Sequence, residues 1–209
     1  MKIFFFNIYK NNNDSKSQLF QDLLVDLILD KDNGYFCEVG ACDGIVHSNS
    51  YFLENKRNWR GILCEPASFW IEKLKVNRPN AIIETSPIFA NSNINVNFIE
   101  KPGGRSFINL DNNKKKTISN AFNTISLNNL FEKYNVSEID YLSIDTEGTE
   151  FEILKNFNFE KYKPKIITVE HNYKDYRKKI FNLLTKKKYI RIFKSLSRFD
   201  DWYVHFSVM

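Results

Sequence analysis

The stretch from Gly34 to Gly44 constrains the fold of this chain more than any other. Its first part, Tyr35 to Val39, is a short apolar run typical of a buried strand. Its second part, Gly40 to Gly44, is a loop that begins and ends with glycine. A strand that enters such a loop and continues into a helix presents backbone N–H groups to a nucleotide-like ligand. The stretch therefore predicts an α/β fold with a ligand at the end of its first strand.

The same stretch carries acid, because Glu38 precedes the loop and Asp43 lies inside it. Two carboxylates beside bare backbone would repel a pyrophosphate. The three-glycine dinucleotide pattern is also not met, since Cys42 and Asp43 stand where a pyrophosphate needs open backbone. These features argue against NAD. They favour a ligand with hydroxyls and a positive charge, such as S-adenosylmethionine with its ammonium and sulfonium groups.

Apolar runs separated by helical patterns predict a Rossmann-like α/β fold. We expect a mostly parallel seven-stranded sheet with helices on both faces and an antiparallel strand at its end. After the first strand, the predicted strands are Gly61 to Glu65, Ala81 to Glu84, Ile139 to Asp145, Lys165 to His171, Tyr189 to Phe193 and Trp202 to Phe206.

The chain of 209 residues is predicted to be a single domain. Ser15 to Gln18 has the form of a capping box and predicts a helix over Ser15 to Asp30. Alternating residues between the third and fourth core strands predict a β-excursion over the sheet. The expected parts are an N-terminal strand (Met1 to Lys10) and lead-in helix in 1–34, a cofactor-binding half in 35–91, the β-excursion in 92–127 and an acceptor-side half in 128–209.

Composition bounds the location and the partners. No apolar run approaches the ~20 residues of a membrane span. Three cysteines without metal-type spacing fit a reducing compartment, so we expect a cytoplasmic protein. From Lys155 to Arg198 there are 14 Lys or Arg and three Asp or Glu. This basic segment is either a solvated face or a surface for an anionic or lipid-linked glycan at the inner membrane face.

On the cofactor side, Glu65 follows Gly44 by 21 residues, at the end of the second strand. That spacing is typical of the acid that accepts hydrogen bonds from ribose hydroxyls. A carboxylate that merely begins the next helix is the alternative. The remaining candidates on this side lie at or near the ends of strands: Asn49, Pro66 and Ser86.

On the acceptor side, polar residues follow the fourth and fifth core strands. His171 is the candidate general base, since histidine titrates near neutrality, and a purely structural histidine is the alternative. Asp145 and Glu147 flank the same mouth as further catalytic candidates, and Glu170 and Asn172 are candidate acceptor-binding residues. A Mg²⁺ site formed by the oxygens of Asp145, Glu170 and Asn172 is an open alternative.

Five segments, in this order, resemble the FkbM family of S-adenosylmethionine-dependent methyltransferases. They are Glu38–Gly44, Ser48–Glu54, Trp59–Pro66, Ser143–Glu150 and Val169–Asn172. The resemblance implies a class I methyltransferase fold and O-methylation of sugar hydroxyls in polysaccharides, glycolipids or natural products. It also implies a cofactor loop of Gly40, Ala41, Asp43 and Gly44, a ribose acid at Glu65, and Asp145 near the transferred methyl group.

Two other functions stay open at this stage. The basic segment and the 15% aromatic content permit an RNA methyltransferase, but no Asn-Pro-Pro-Tyr-like motif is present. A degenerate fold that binds cofactor without turnover is the second alternative, and the acids at the strand ends argue against it. The sequence predicts neither the oligomeric state nor the hydroxyl that is methylated.

Overall fold

The computed structural model describes residues 14–101, 103–110 and 119–209. The predicted N-terminal strand, Met1 to Lys10, lies outside the described residues. The main sheet contains β1 (Tyr35–Val39), β2 (Arg60–Cys64), β3 (Ile82–Glu84), β7 (Tyr141–Ile144), β8 (Ile166–Glu170), β9 (Tyr189–Ile192) and β10 (Asp200–His205). A second sheet contains β4 (Asn95–Ile99), β5 (Phe107–Asn109) and β6 (Ser119–Asn123).

The strands of the main sheet follow the order β3-β2-β1-β7-β8-β10-β9. All neighbours are parallel except β10, which runs antiparallel to β8 and to β9. The predicted mostly parallel seven-stranded sheet with an antiparallel strand is therefore confirmed. The chain order reverses between β1 and β7, and Val39 pairs with both Cys64 and Ile144 at that edge. Ligands of open α/β sheets bind at such a reversal, outside the carboxyl ends of the strands.

Helices cover both faces of the sheet, as expected. The helices are α1 (Gln21–Leu29), α2 (Tyr51–Arg57), α3 (Ser68–Asn77), α4 (Leu127–Lys133), α5 (Glu150–Lys155), α6 (Phe159–Tyr162) and α7 (Tyr176–Lys186). Side chains alternate across a strand, so Phe36 packs with helices α1 to α3 while Cys37 packs with helices α4 to α7. Both faces are apolar, which is why these strands are continuous apolar runs in the sequence.

The lead-in helix begins later than its sequence pattern predicts. Ser15 does not cap it; its hydroxyl donates to Asp22 Oδ1 at 2.7 Å, and Ser17 Oγ accepts from the Asp22 N–H at 3.3 Å. Phe20 adopts a left-handed conformation with φ 63°, and the helix starts at Gln21. The predicted capping box is therefore wrong, because its serine bonds a side chain rather than the first helical N–H groups.

The β-excursion forms the second sheet, with the order β5-β4-β6. Its apolar face, with Val96, Phe98 and Ile108, packs against Ala67 and Trp70 at the start of α3. The excursion therefore lies over the part of the main sheet next to the start of α3. None of the helices in the described part of the chain has the length and apolar character that crossing a bilayer requires.

Candidate active site

A cavity of about 620 Å³ opens at the carboxyl edge of the main sheet, beneath the β-excursion. Its lining includes the ends of β1, β2, β7 and β8, the start of β10, and a turn of the excursion at Gly103 and Gly104. Among the described residues, seven carboxyl side chains line it: Glu38, Asp43, Glu65, Asp145, Glu147, Glu170 and Asp200.

The glycine loop is held tightly between two strands. Gly40 has φ +93°, and a Cβ built on it would lie 2.1 Å from the backbone oxygen of Asp145. Its N–H and that of Ala41 both donate to the Cys64 carbonyl, at 2.9 and 3.1 Å. The position therefore requires glycine for close packing of β1 against β7. These two N–H groups are bonded within the protein and do not face the cavity as free donors.

Gly44 does not line the cavity. A Cβ there would meet Leu74 Cδ1 at 2.6 Å and Arg78 Cγ at 2.7 Å, so this glycine packs against α3. Arg78 is fully buried and donates to the Gly44 carbonyl and to the hydroxyls of Ser48 and Ser50. The sequence analysis did not consider Arg78 and so missed its role in holding the loop.

The two acids that suggested a cationic ligand are bonded within the protein. Glu38 accepts from the hydroxyls of Ser48 and Ser50 and from the Asn49 N–H. Asp43 Oδ2 accepts from Lys73 at 2.8 Å, and its Oδ1 accepts two backbone N–H groups. Burial alone would raise the pKa of Asp43, but the Lys73 and backbone hydrogen bonds outweigh it and lower that pKa.

Glu65 joins the two loops that frame the cofactor end. Its Oε2 accepts from the Cys42 N–H at 2.9 Å and its Oε1 from the Ala67 N–H at 2.8 Å. Burial raises its pKa, and the two hydrogen bonds oppose that rise. An ionised carboxylate offers about four acceptor sites, so two stay available to a ligand. Pro66 also lines the cavity, whereas Ser86 does not and instead donates its N–H to Glu84.

Three carboxyl groups meet at the opposite end of the cavity. Asp145, Glu150 and Glu170 each place an oxygen within 4.8 Å of the other two. Burial and then the neighbouring Glu170 raise the pKa of Asp145 well above its usual range. Burial raises the pKa of Glu170 to about 7. The sequence analysis proposed Asp145 and Glu170 as site residues but assigned no role to Glu150.

Asp200 is a further acid at this end that sequence reasoning missed. It lies at the start of β10, pairs with Glu170 across the sheet, and accepts from Gln21 Nε2 at 2.6 Å. Burial raises its pKa to about 7. Because β10 runs antiparallel, its first residue rather than its last lies at the carboxyl edge. A search of strand ends alone therefore overlooks it.

The other predicted residues of this end lie on the cavity lining. Burial and then Glu150 raise the pKa of Glu147, which adopts φ 59°. Asn172 Nδ2 donates to Glu170 Oε2 at 2.6 Å. Asn49 Nδ2 donates to Ser143 Oγ at 2.9 Å, while its Oδ1 is buried without a hydrogen-bond partner.

His171, the candidate base, is not among the lining residues. It is 1% exposed, its Nδ1 accepts from the Tyr173 N–H, and its Nε2 lies 3.8 Å from Asp201 Oδ1. Arg177 and Arg191 bind the same Asp201 carboxylate. Burial lowers the pKa of His171. The structure places this histidine in a salt-bridge network away from the cavity, and we do not assign it a catalytic role.

Comparison with known proteins gives a consistent picture. A family model for the methyltransferase FkbM domain matches residues 38–205. No curated protein sequence matches the chain. The crystal structure of methyltransferase FkbM from Methylobacillus flagellatus KT is similar, with 14% identity and a TM-score of 0.57. The alignment covers 84% of this chain and 44% of that one, so the present chain spans less than half of the length of that relative.

Two further solved structures share the fold. The fibrillarin pre-rRNA processing protein of Methanococcus jannaschii has 14% identity and a TM-score of 0.51, over 92% of this chain and 75% of that one. The METTL16 methyltransferase domain has 11% identity and a TM-score of 0.51, over 87% of this chain and 64% of that one. At such identities the similarity shows the class I methyltransferase fold alone.

Proposed function

Because the chain belongs to the methyltransferase FkbM family, we propose that it transfers the methyl group of S-adenosylmethionine to a hydroxyl of a carbohydrate. The observation that carries the proposal is the arrangement of one cavity, with the cofactor acid Glu65 at one end and a carboxyl cluster at the other. A polysaccharide, a glycolipid or a glycosylated natural product would supply the hydroxyl.

The cofactor end suits an adenosine. The free acceptor sites of Glu65 can take the ribose hydroxyls, and a hydrogen bond to a charged acceptor contributes about 1.5–3 kcal/mol. Apolar side chains of Trp70, Ile88 and Phe98 line the same part of the cavity and can sandwich the adenine. Gly40 packs against Asp145, so the transferred methyl group would face the carboxyl cluster.

The acceptor end suits a neutral, hydroxyl-rich ligand. Each carboxyl oxygen of Asp145, Glu170 and Asp200 can accept a hydrogen bond from a sugar hydroxyl. A phosphate offers only acceptor oxygens and would find few donors among these acids, which disfavours both an anionic glycan and a nucleic acid. The basic run at Lys186 to Lys188 leads into β9 beside Phe206, at the edge opposite the cavity, and Lys187 pairs with Glu160. We therefore do not assign this basic run a role in binding the acceptor.

Methyl transfer is an in-line displacement: the carbon–sulfur bond of the sulfonium breaks as the carbon–oxygen bond forms. The hydroxyl proton must leave, and we assign it to the Asp200 carboxylate, which Gln21 holds at the cavity wall. S-adenosylhomocysteine is the second product. Fixing the two reactants in line is worth about 7–11 kcal/mol, and a positioned base contributes about 10²–10⁴ in rate.

The test is methyl transfer from labelled cofactor to a glycan extract of the source organism, with RNA as the competing acceptor. We expect label in the glycan fraction. Asp200→Asn should lower the rate by about 10²-fold or more if its carboxylate accepts the proton, while S-adenosylhomocysteine affinity stays unchanged. Asp175→Asn, an exposed acid at the start of α7, is the matched control. Label confined to RNA, or equal rates in both variants, would contradict the proposal.

A further inference from the structure

Five buried or half-buried carboxylates of this protein have a lysine or arginine beside them. Burying an ionised carboxylate is costly unless a charge or several hydrogen bonds compensate it. The compensated pairs are Asp43–Lys73, Glu54–Arg78, Glu84–Lys133, Asp140–Lys31 and Lys165, and Asp201–Arg177 and Arg191. Two other buried acids are compensated by hydrogen bonds instead, since Glu38 accepts three and Glu65 accepts two.

The carboxyl cluster of Asp145, Glu150 and Glu170 departs from that pattern. Within the described ranges, none of the three forms a salt bridge with a lysine or arginine. One oxygen of each lies within 4.8 Å of an oxygen of the other two, so each carboxylate adds to the cost of ionising its neighbours. The cluster therefore brings together three acids that no lysine or arginine of the described residues compensates.

Glu150 supplies the independent observation that the cluster is built for a ligand. Its side chain is fully buried, and its Oε1 accepts from the N–H groups of Thr146 and Gly148 and from the Thr146 hydroxyl. Its Oε2 accepts no hydrogen bond of normal geometry, although the Tyr176 hydroxyl is a close neighbour. Asp145 Oδ1 is likewise buried without a partner. A buried oxygen without a hydrogen-bond partner destabilises the fold unless a ligand binds it.

We propose that Asp145, Glu150 and Glu170 bind one hard divalent cation, Mg²⁺ or Mn²⁺. Such cations take carboxylate oxygens at about 2.0–2.2 Å, which brings ligand oxygens to within about 4.5 Å of one another. The three oxygens already lie within 4.8 Å of each other. Glu150 replaces Asn172 of the predicted ligand set, because the Asn172 amide donates to Glu170 and orients that carboxylate.

The cation would lie at the acceptor end of the cavity. If the proposed function holds, on which this step alone rests, the sugar hydroxyl would become a further ligand of the cation. A divalent cation lowers the pKa of an oxygen that it binds. The proton would then pass to Asp200, which lies beside the cluster and is not one of the three ligands.

Mn²⁺ titration followed by electron paramagnetic resonance tests the site without any substrate. The protein is first stripped with EDTA, and the free-Mn²⁺ signal is measured as protein is added. We expect one site, with Mg²⁺ competing for it. Glu150→Gln keeps an oxygen for the Thr146 and Gly148 N–H groups, and Glu170→Gln is the second variant should the first not fold. Since even loss of an outer-shell partner costs about 10–100-fold in affinity, each should weaken Mn²⁺ binding by at least about 100-fold.

The matched control is Glu65→Gln, which removes the same charge at the other end of the cavity and should leave Mn²⁺ affinity unchanged. No loss of the free-Mn²⁺ signal, or equal binding by wild type and Glu170→Gln, would overturn the inference. The two proposals fail separately. If the protein does not bind Mn²⁺ but labels glycan equally well in EDTA, the cation site is refuted and the proposed function stands. If wild type binds Mn²⁺, the variants do not, and no methyl transfer is found, the cation site stands and the proposed function is refuted.

Discussion

At the scale of single residues, the acids divide by what lies beside them. Asp43 and Asp201 have cationic partners and lowered pKa values, whereas Asp145 and Asp200 have no lysine or arginine partner among the described residues and their pKa values are raised. Asp22 belongs to the second group although it lies outside the cavity lining. It is fully buried under the segment that precedes α1, and its Oδ2 has no hydrogen-bond partner.

Asp22 makes stability depend on pH. Burial raises its pKa from 3.8 to about 6. A carboxyl group with a raised folded-state pKa stabilises the fold fully below its unfolded pKa, and this contribution is lost as pH rises through about 6. The shift corresponds to a loss on the order of 3 kcal/mol between about pH 4 and pH 7.

Asp22→Asn should remove that dependence. Urea unfolding at steps from pH 4 to pH 8 gives the free energy of unfolding for both proteins, and their difference isolates Asp22 from the other acids. We expect the wild type to lose stability relative to the variant across this range. A difference that stays constant with pH would show that Asp22 is ionised in the fold at every pH tested.

The sequence analysis located the residues that lie at a characteristic spacing from a recognisable motif. Glu65 lies at a fixed distance from the glycine loop, and Gly40 lies where β1 meets β7. Asp200 and Arg78 act through contacts with residues far away in the chain, Gln21 and Gly44 respectively. The spacing of residues along the chain does not indicate such long-range contacts, so the sequence analysis missed both residues.

At the scale of elements, the turn of the excursion closes the cavity over the glycine loop. Gly103 and Gly104 both have positive φ, at +77° and +75°. A Cβ on Gly104 would lie 3.0 Å from Cys42 Sγ, whereas a Cβ on Gly103 would meet nothing within 4 Å. Cys42 in turn donates its N–H to Glu65. The turn therefore contacts Cys42, which in turn holds the Glu65 carboxylate.

Alanine at these two positions separates contact from backbone strain. Both variants force a side chain into a left-handed conformation, but only Gly104→Ala presses on Cys42. A clash of about 1 kcal/mol would lower S-adenosylhomocysteine affinity about fivefold in Gly104→Ala. Gly103→Ala should bind as the wild type does. Calorimetric titration of both measures the difference, and equal affinities would show that the turn does not position Glu65.

Elements were predicted well where the hydrophobic pattern alone decides them. The strands of the parallel core appear within one or two residues of their predicted bounds, because both of their faces are buried. The start of α1 was not predicted correctly. Ser15 donates to the Asp22 side chain and Ser17 accepts from the Asp22 N–H, so Ser15 does not cap a helix that begins beside it. Competition of this kind between side-chain hydrogen bonds is decided by the tertiary fold.

At the scale of the whole molecule, the site arises from how the sheet is ordered. The reversal between β1 and β7 opens the edge, and the antiparallel β10 brings its first residue, Asp200, to the same edge. The α/β class and the strand count followed from the sequence. The carboxyl cluster required the strand order, because Asp145, Glu170 and Asp200 come from three different strand ends.

The account depends most on the claim that this cavity binds the cofactor with Glu65 on its ribose. Calorimetric titration with S-adenosylhomocysteine tests that claim directly. Glu65→Gln should bind about 10- to 150-fold more weakly than wild type, equivalent to the 1.5–3 kcal/mol of a hydrogen bond to a charged acceptor. Glu72→Gln, an exposed acid on α3, should bind as wild type does. Binding that is absent in the wild type, or unchanged in Glu65→Gln, would contradict the account.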